Sequence, residues 1–184
     1  MKNMKTRDMA LTALFAALIS VGGRITIPIP YVPITLQTLF TVLAGLLLGS
    51  KLGALSSALY VLMGLVGLPV FSSGAGPSYV FRPTFGYMIG FIAGAWLAGY
   101  IVERAEKKDF KTMFLACLAN GAVVYAIGLP YYYLMMNYYL NTPIGAQALL
   151  LHGFIMTLPG DFIKYIAASL IAARLYPVLK KQTN

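Results

Sequence analysis

Two ionisable residues, Asp161 and Lys164, lie within an otherwise apolar stretch of the sequence. A charge within a membrane span costs about 2.5–3.5 kcal/mol to insert, so such residues are rarely kept without a role. Their i,i+3 spacing puts both on one helix face, and the preceding Pro159-Gly160 favours a helix break with a locally positive start near Asp161. The pair either locks the helices together or contacts a polar ligand. We favour the ligand, because apolar packing easily replaces a purely structural pair.

The second candidate element is the 68–82 loop, which is rich in glycine, serine and proline. Gly74 and Gly76 let backbone N–H groups approach a ligand closely, and the planar guanidinium of Arg82 suits a carboxylate. The same residues also fit an ordinary flexible loop whose arginine reaches for water. The residues of the loop leave both interpretations open.

Aromatic residues surround these two elements and include Phe71, Tyr79, Phe81, Tyr125, Tyr131, Tyr132, Tyr133, Phe162 and Tyr165. Near a membrane interface such residues are more often anchors than ligand contacts, but some can wall an apolar ring. A carboxylate acceptor, cationic donors and aromatic walls together predict a small metabolite as the ligand. It would carry polar N–H groups, an apolar body and an anionic tail.

The elements that position these residues are predicted to be membrane-spanning helices. The sequence is 59% hydrophobic and only 10% charged, with a mean hydropathy of +0.77, whereas soluble domains are about 25% charged. Its apolar runs are long enough to cross about 30 Å of hydrocarbon. They predict an all-α integral membrane protein whose residues 1–184 form a single domain of six transmembrane helices, at about 8–25, 35–49, 52–67, 83–102, 112–136 and 150–175. Pro28, Pro30 and Pro33 exclude a regular helix over 27–34.

The lysines and arginines predict the orientation of this bundle. With both termini in the cytoplasm, eleven of them fall on the inside and two, Arg24 and Arg82, on the outside, while Lys164 lies within a span. This excess agrees with the positive-inside rule. The longer loops, including 68–82, would then face outward, so a site built from them would open to the exterior.

Small residues predict where helices approach closely. Gly86, Gly90 and Gly94 repeat at small-xxx-small spacing in the fourth span, for which packing within the bundle is the simplest explanation. Ala10, Ala13 and Ala17 share one face of the first span. That face either packs internally or docks on a separate membrane subunit.

Several functional classes lack their signatures in this sequence. It contains no G-x-x-x-x-G-K-[ST] phosphate loop, no G-x-S-x-G elbow and no H-E-x-x-H pair, so we predict no enzymatic activity. One cysteine and one histidine leave no Cys/His cluster for zinc. The net charge of +9 lies mostly between apolar runs rather than on a basic face with aromatic residues, which argues against nucleic-acid binding.

Four motifs in order along the chain resemble the BioY family, the biotin-specific S components of energy-coupling factor (ECF) transporters. They are Gly23-Arg24-Ile25-Thr26-Ile27-Pro28, Val32-Pro33-Ile34-Thr35-Leu36-Gln37-Thr38, Gly67-Leu68-Pro69-Val70-Phe71 leading into Pro83-Thr84-Phe85-Gly86-Tyr87, and Pro159-Gly160-Asp161-Phe162-Ile163-Lys164. The 68–82 loop departs from the family pattern, since Arg82 precedes Pro83-Thr84 and Phe85 replaces a glycine.

The resemblance implies a subunit that captures biotin from outside and docks on a transmembrane coupling protein, which two ATP-binding subunits drive. The chain itself would need no cofactor, and ATP would be used only by its partners. Asp161 would accept hydrogen bonds from the ureido group of biotin, while Lys164 would meet the carboxylate or orient Asp161. The predicted substrate contacts are Asp161, Lys164, Arg82, Gly74, Gly76, Tyr79, Phe71 and Gln37, and Ala13 and Ala17 would form the docking element.

Two other functions remain open for a multi-pass protein of a bacterial plasma membrane. The chain alone could act as a facilitator or proton-coupled carrier of a small carboxylate, in which Asp161 would titrate. It could also be an S component for another vitamin, such as thiamine or riboflavin, although a cationic ligand is harder to reconcile with Lys164.

Overall fold

The computed structural model describes residues 5–27 and 32–181, which form seven α-helices. In chain order these are α1 (Thr6–Arg24), α2 (Gln37–Leu48), α3 (Ser50–Leu65), α4 (Phe85–Arg104), α5 (Phe110–Leu134), α6 (Ala146–Leu150) and α7 (Leu158–Lys181). The first five predicted spans fall on α1 to α5, and the sixth covers the last residue of α6, the segment Leu151–Ile155 and most of α7. Within residues 5–27 and 32–181, three stretches are long and apolar enough to cross a membrane, namely Phe85–Arg104, Phe110–Tyr139 and Ala146–Leu179, while α2 and α3 are apolar but shorter.

A small antiparallel ribbon departs from the all-helical prediction. Strands β1 (Thr26–Ile27) and β2 (Ile34–Thr35) pair between α1 and α2, with Thr26 opposite Thr35. The two ends of the 27–34 segment are therefore extended, as its prolines predict, although Pro28 and Pro30 lie outside the described residues. The ribbon matters for the site because it places the backbone of Thr35 at the start of α2.

Glycines bring α4 and α5 into close contact. A Cβ atom at Gly90 would lie 2.8 Å from the Cα atom of Val124, one at Gly94 would lie 2.7 Å from Asn120, and one at Gly86 would overlap Tyr131. All three glycines thus face α5, which confirms that their spacing reflects packing within the bundle.

The last helix begins with an irregular approach. A π-helical turn (Leu151–Ile155) follows α6, and α7 starts at Leu158, directly before Pro159. Proline has no N–H group and is best tolerated in a first helical turn, so the regular helix starts here. Asp161 consequently lies in the first turn of α7, near the positive end of its dipole, as the sequence predicts.

The 68–82 loop is packed against the bundle rather than extended into solvent. The ring of Phe71 lies where a Cβ atom of Gly64 would be, 5.5 Å from the ring of Tyr60 and 4.3 Å from that of Tyr79. Phe71 and Tyr79 are almost fully buried, and the Gly76 N–H group donates to the Gly64 carbonyl. Gly74 and Gly76 have φ values of 123° and 99°, which glycine adopts without strain and which turn the chain at these two points.

Candidate functional site

A cavity of about 570 Å³ opens between the ribbon, α2, the 68–82 loop, α4, α5 and α7. This volume lies within the range of pockets that hold small molecules, about 300–1,000 Å³. The cavity is lined by Val32, Pro33, Ile34, Thr35, Gln37, Thr38, Ser72, Ser73, Phe81, Arg82, Pro83, Thr84, Tyr87, Met88, Phe91, Val124, Tyr125, Tyr132, Leu140, Thr157, Asp161 and Lys164. Twelve of these residues are apolar or aromatic, and ten are polar or charged.

Asp161 and Lys164 form the buried end of the cavity, with 5% and 6% of their surfaces exposed. The Lys164 Nζ atom lies 2.5 Å from Asp161 Oδ1 and donates a hydrogen bond of 2.9 Å to the Thr35 carbonyl. The second carboxylate oxygen of Asp161 accepts from the Tyr125 hydroxyl. Each charge is thus neutralised by the other and held by a second polar group from another part of the fold, as burial requires.

Gln37 lies in the first turn of α2 and is also buried. Its Oε1 atom accepts a 3.1 Å hydrogen bond from the Thr35 hydroxyl, and its Nε2 group donates to the Tyr60 hydroxyl. The amide is held on both sides, so its orientation in the cavity wall is fixed.

Arg82 lines the cavity at its exposed side. The guanidinium donates a 3.2 Å hydrogen bond to the Ser73 hydroxyl and lies 5.3 Å from the centre of the Tyr79 ring. These two contacts hold the charge against the 68–82 loop while leaving further N–H donors of the planar group available.

The predicted site residues thus separate into two groups. Asp161, Lys164, Gln37 and Arg82 come together around one cavity. Phe71 and Tyr79 lie instead in the apolar cluster beneath the 68–82 loop, and Gly74 and Gly76 shape its turns without lining the cavity. The Tyr79 ring still contacts the Arg82 guanidinium from below the loop.

Several residues that line the cavity could not be identified as site residues from the sequence. The Thr35 carbonyl is a backbone group, and Tyr87, Met88 and Phe91 read as ordinary core residues of an apolar helix. Thr157 is equally inconspicuous, although it stands one helical turn before Asp161. Only the assembled bundle shows which helix faces point to the cavity.

The charges of the cavity favour an anionic ligand. The charged side chains among its lining residues are Asp161, Lys164 and Arg82, which sum to one positive charge. The internal pair offers an acceptor and a donor side by side at one end, and Arg82 offers a carboxylate-binding fork at the exposed side. Residues 5–27 and 32–181 bring together no group of three metal-ligating His, Cys, Asp or Glu side chains.

The sequence and the fold both match known proteins. A model of the BioY family matches residues 1–181. A protein of Lysinibacillus sphaericus named as a probable biotin transporter BioY is 42% identical over 98% of this chain and 92% of its own length. The biotin transporter BioY of Thermotoga maritima is 40% identical over 92% and 95%. The crystal structure of the S-component for biotin from an ECF-type ABC transporter is similar with a TM-score of 0.78 at 27% identity, over 94% of both chains.

Proposed function

The chain belongs to the BioY family, and from this membership we propose that it captures biotin for uptake as the S component of an ECF-type transporter. The observation that carries the proposal is the buried Asp161–Lys164 pair at the end of a cavity of small-molecule size. Because the family consists of transporter components, we assign the chain no enzymatic activity.

The cavity suggests how biotin would lie in it. In a cyclic ureido group each N–H donor lies beside the carbonyl acceptor, and one such edge complements the Asp161 carboxylate and the Lys164 ammonium, only 2.5 Å apart. The biotin carboxylate is separated from that ring by the bicycle and an aliphatic chain, so both groups cannot contact the same ion pair. We therefore propose that the ureido ring binds Asp161 and Lys164, the apolar body packs on the aromatic wall, and the carboxylate meets Arg82.

We further propose that residues 1–184 form one domain of six transmembrane helices in the bacterial plasma membrane, with both termini in the cytoplasm. The distribution of lysine and arginine supports this orientation. In this orientation Arg82 and the 68–82 loop face outward, so biotin would enter from the exterior.

Docking on an ECF module is the remaining part of the proposal. Ala13 and Ala17 lie on α1 with exposed side chains, next to exposed Leu14. Small residues on an open helix face allow another helix to approach closely. We propose that this face contacts the transmembrane coupling protein and that two ATP-binding subunits supply the energy. Biotin uptake by the chain alone in liposomes would instead support a self-sufficient carrier.

Calorimetry on the detergent-purified chain tests the proposed function first. We expect one biotin to bind per chain, while thiamine, a cation, gives no binding because the cavity carries a net positive charge. Riboflavin serves as a second vitamin for comparison and is also expected not to bind. A folded, monodisperse sample that does not bind biotin would contradict the proposal.

The Arg82→Ala substitution tests the proposed direction of the ligand. We expect it to weaken biotin binding about tenfold, because a charge-assisted hydrogen bond at an exposed position is lost. Biotin amide, which lacks the charge, should bind the variant and the wild type equally. Arg104→Ala is the matched control, since Arg104 is an exposed arginine that does not line the cavity. An equal loss of affinity for biotin and biotin amide would place the carboxylate elsewhere.

A further inference from the structure

Tyr125 connects α5 to the carboxylate of Asp161. Its hydroxyl donates to Asp161 Oδ2, while Asp161 Oδ1 is held by Lys164. The tyrosine ring is itself held at right angles between two others, with centres 6.1 Å from Tyr87 and 4.8 Å from Phe154. Only 8% of Tyr125 is exposed, so its hydroxyl has a nearly fixed position.

The proton positions around Tyr125 follow from the bonding capacity of each group. An ionised Asp161 only accepts hydrogen bonds, so the single hydroxyl proton of Tyr125 points to it. The 2.7 Å contact between Tyr125 Oη and Thr157 Oγ1 is then a hydrogen bond only if Thr157 is its donor. The Phe154 carbonyl, 2.8 Å from Thr157 Oγ1, is the competing acceptor for that proton. Tyr125 therefore donates to the Asp161 carboxylate, and Thr157 extends this chain of hydrogen bonds when its hydroxyl donates to Tyr125 rather than to the Phe154 carbonyl.

Such a chain restricts the rotation of the carboxylate. With one oxygen held by Lys164 and the other by Tyr125, the plane of the group is set by two elements, α7 and α5. Each oxygen keeps further lone-pair capacity for a ligand. Hydrogen bonds in series polarise one another in a buried site. A hydrogen bond donated by Thr157 to Tyr125 therefore strengthens the one that Tyr125 donates to Asp161.

We propose that Tyr125, supported by Thr157, is a positioning residue for biotin binding: it fixes the Asp161 carboxylate in the orientation that accepts a ureido N–H group. The inference rests on the proposed function. It assigns Tyr125 a role beyond lining the cavity, since the hydroxyl acts through Asp161 without needing to touch the ligand.

The test is a double-mutant cycle with biotin binding measured by calorimetry at biotin concentrations up to the millimolar range. Tyr125→Phe keeps the ring and removes the hydroxyl, and we expect it to raise the Kd about tenfold. In an Asp161→Asn background the same substitution should change the Kd less than about twofold, because the group that it orients has been altered. A hydroxyl that acts independently of Asp161 would give the same change in both backgrounds, and that result would overturn the proposal.

Two further variants complete the test. Thr157→Val removes the donor behind Tyr125 and should raise the Kd about threefold, so it carries the test if Tyr125→Phe does not fold. If Tyr125→Phe folds and its Kd is unchanged, the proposal is overturned. If only Thr157→Val folds, an unchanged Kd of that variant overturns it. Tyr165→Phe is the control, because Tyr165 is similarly buried but its hydroxyl has no hydrogen-bond partner among the described residues. We expect its Kd to match the wild type.

The same measurements separate this inference from the proposed function. A wild-type chain that does not bind biotin would contradict the proposed function itself. A wild-type chain that binds biotin, with a Tyr125→Phe variant of the same Kd, would contradict only this inference.

Discussion

Replacing Asp161 with asparagine is expected to weaken biotin binding about 100-fold. The substitution preserves the size of the side chain but removes the negative charge that makes its hydrogen bond to a ureido N–H group strong. A buried, charge-assisted bond contributes about 1.5–3 kcal/mol, and the Lys164 ammonium loses its partner at 2.5 Å as well. Calorimetry with biotin measures the effect. Asp109→Asn is the matched control, since Asp109 is an exposed N-cap of α5 outside the cavity and asparagine caps helices equally well.

A double variant separates ligand binding from a purely structural ion pair. Removing one partner of a buried pair costs about 3–5 kcal/mol of stability, whereas replacing both with apolar residues is often neutral. We therefore expect Asp161→Leu/Lys164→Met to unfold near the wild-type temperature and to bind no biotin. If this double variant folds and binds biotin like the wild type, the pair serves only to hold the bundle together.

Substituting valine for Gly90 is expected to lower the free energy of unfolding by about 3 kcal/mol or more. The new Cβ atom would lie 2.8 Å from Val124 Cα and 3.0 Å from its carbonyl oxygen, and backbone atoms cannot rotate away as a side chain does. α4 and α5 must then separate along a contact that Gly86 and Gly94 also require to be close.

The midpoint of thermal unfolding in detergent measures this loss. Gly145→Val is the control, because Gly145 has an extended backbone with φ of −69° and no atom within 4 Å of its Cβ position. We expect this variant to unfold within about 2 °C of the wild type. A Gly90→Val protein that unfolds at the same temperature as Gly145→Val would show that the two helices can separate at little cost.

Helix positions were the most predictable part of the fold, because a long apolar run has few alternatives in a membrane. The run at 83–102 corresponds to α4 (Phe85–Arg104) and the run at 112–136 to α5 (Phe110–Leu134). The ribbon and the π-helical turn before α7 were not predicted. Two-residue strands have no periodicity to detect, and a π turn is a local shift of backbone hydrogen bonding, here from the Met156 N–H group to the Leu151 carbonyl, which the hydrophobic pattern does not record.

The candidate site was predictable where a residue was unusual for its surroundings. Charge within an apolar helix marked Asp161 and Lys164, and a guanidinium beside a glycine-rich loop marked Arg82. Tyr125 carried only the general signal of an aromatic residue, and its role depends on a hydroxyl that meets Asp161 once α5 and α7 are packed. Phe71 and Tyr79 gave the same signal, yet they lie under the loop because Gly64 leaves room for the Phe71 ring.

Asp161 and Lys164, which form the charged end of the cavity, lie on α7, the last helix described. They are therefore synthesised after the groups that they contact on the earlier elements. A ribosome delivers the Thr35 carbonyl and the Tyr125 hydroxyl with earlier elements, and Asp161 and Lys164 only with α7. The insertion cost of these two charges falls when α7 meets partners that are already assembled. A nascent chain that stops short of α7 therefore has the walls of the cavity but not its ion pair, so the charged end of the cavity forms only when α7 packs against the earlier helices.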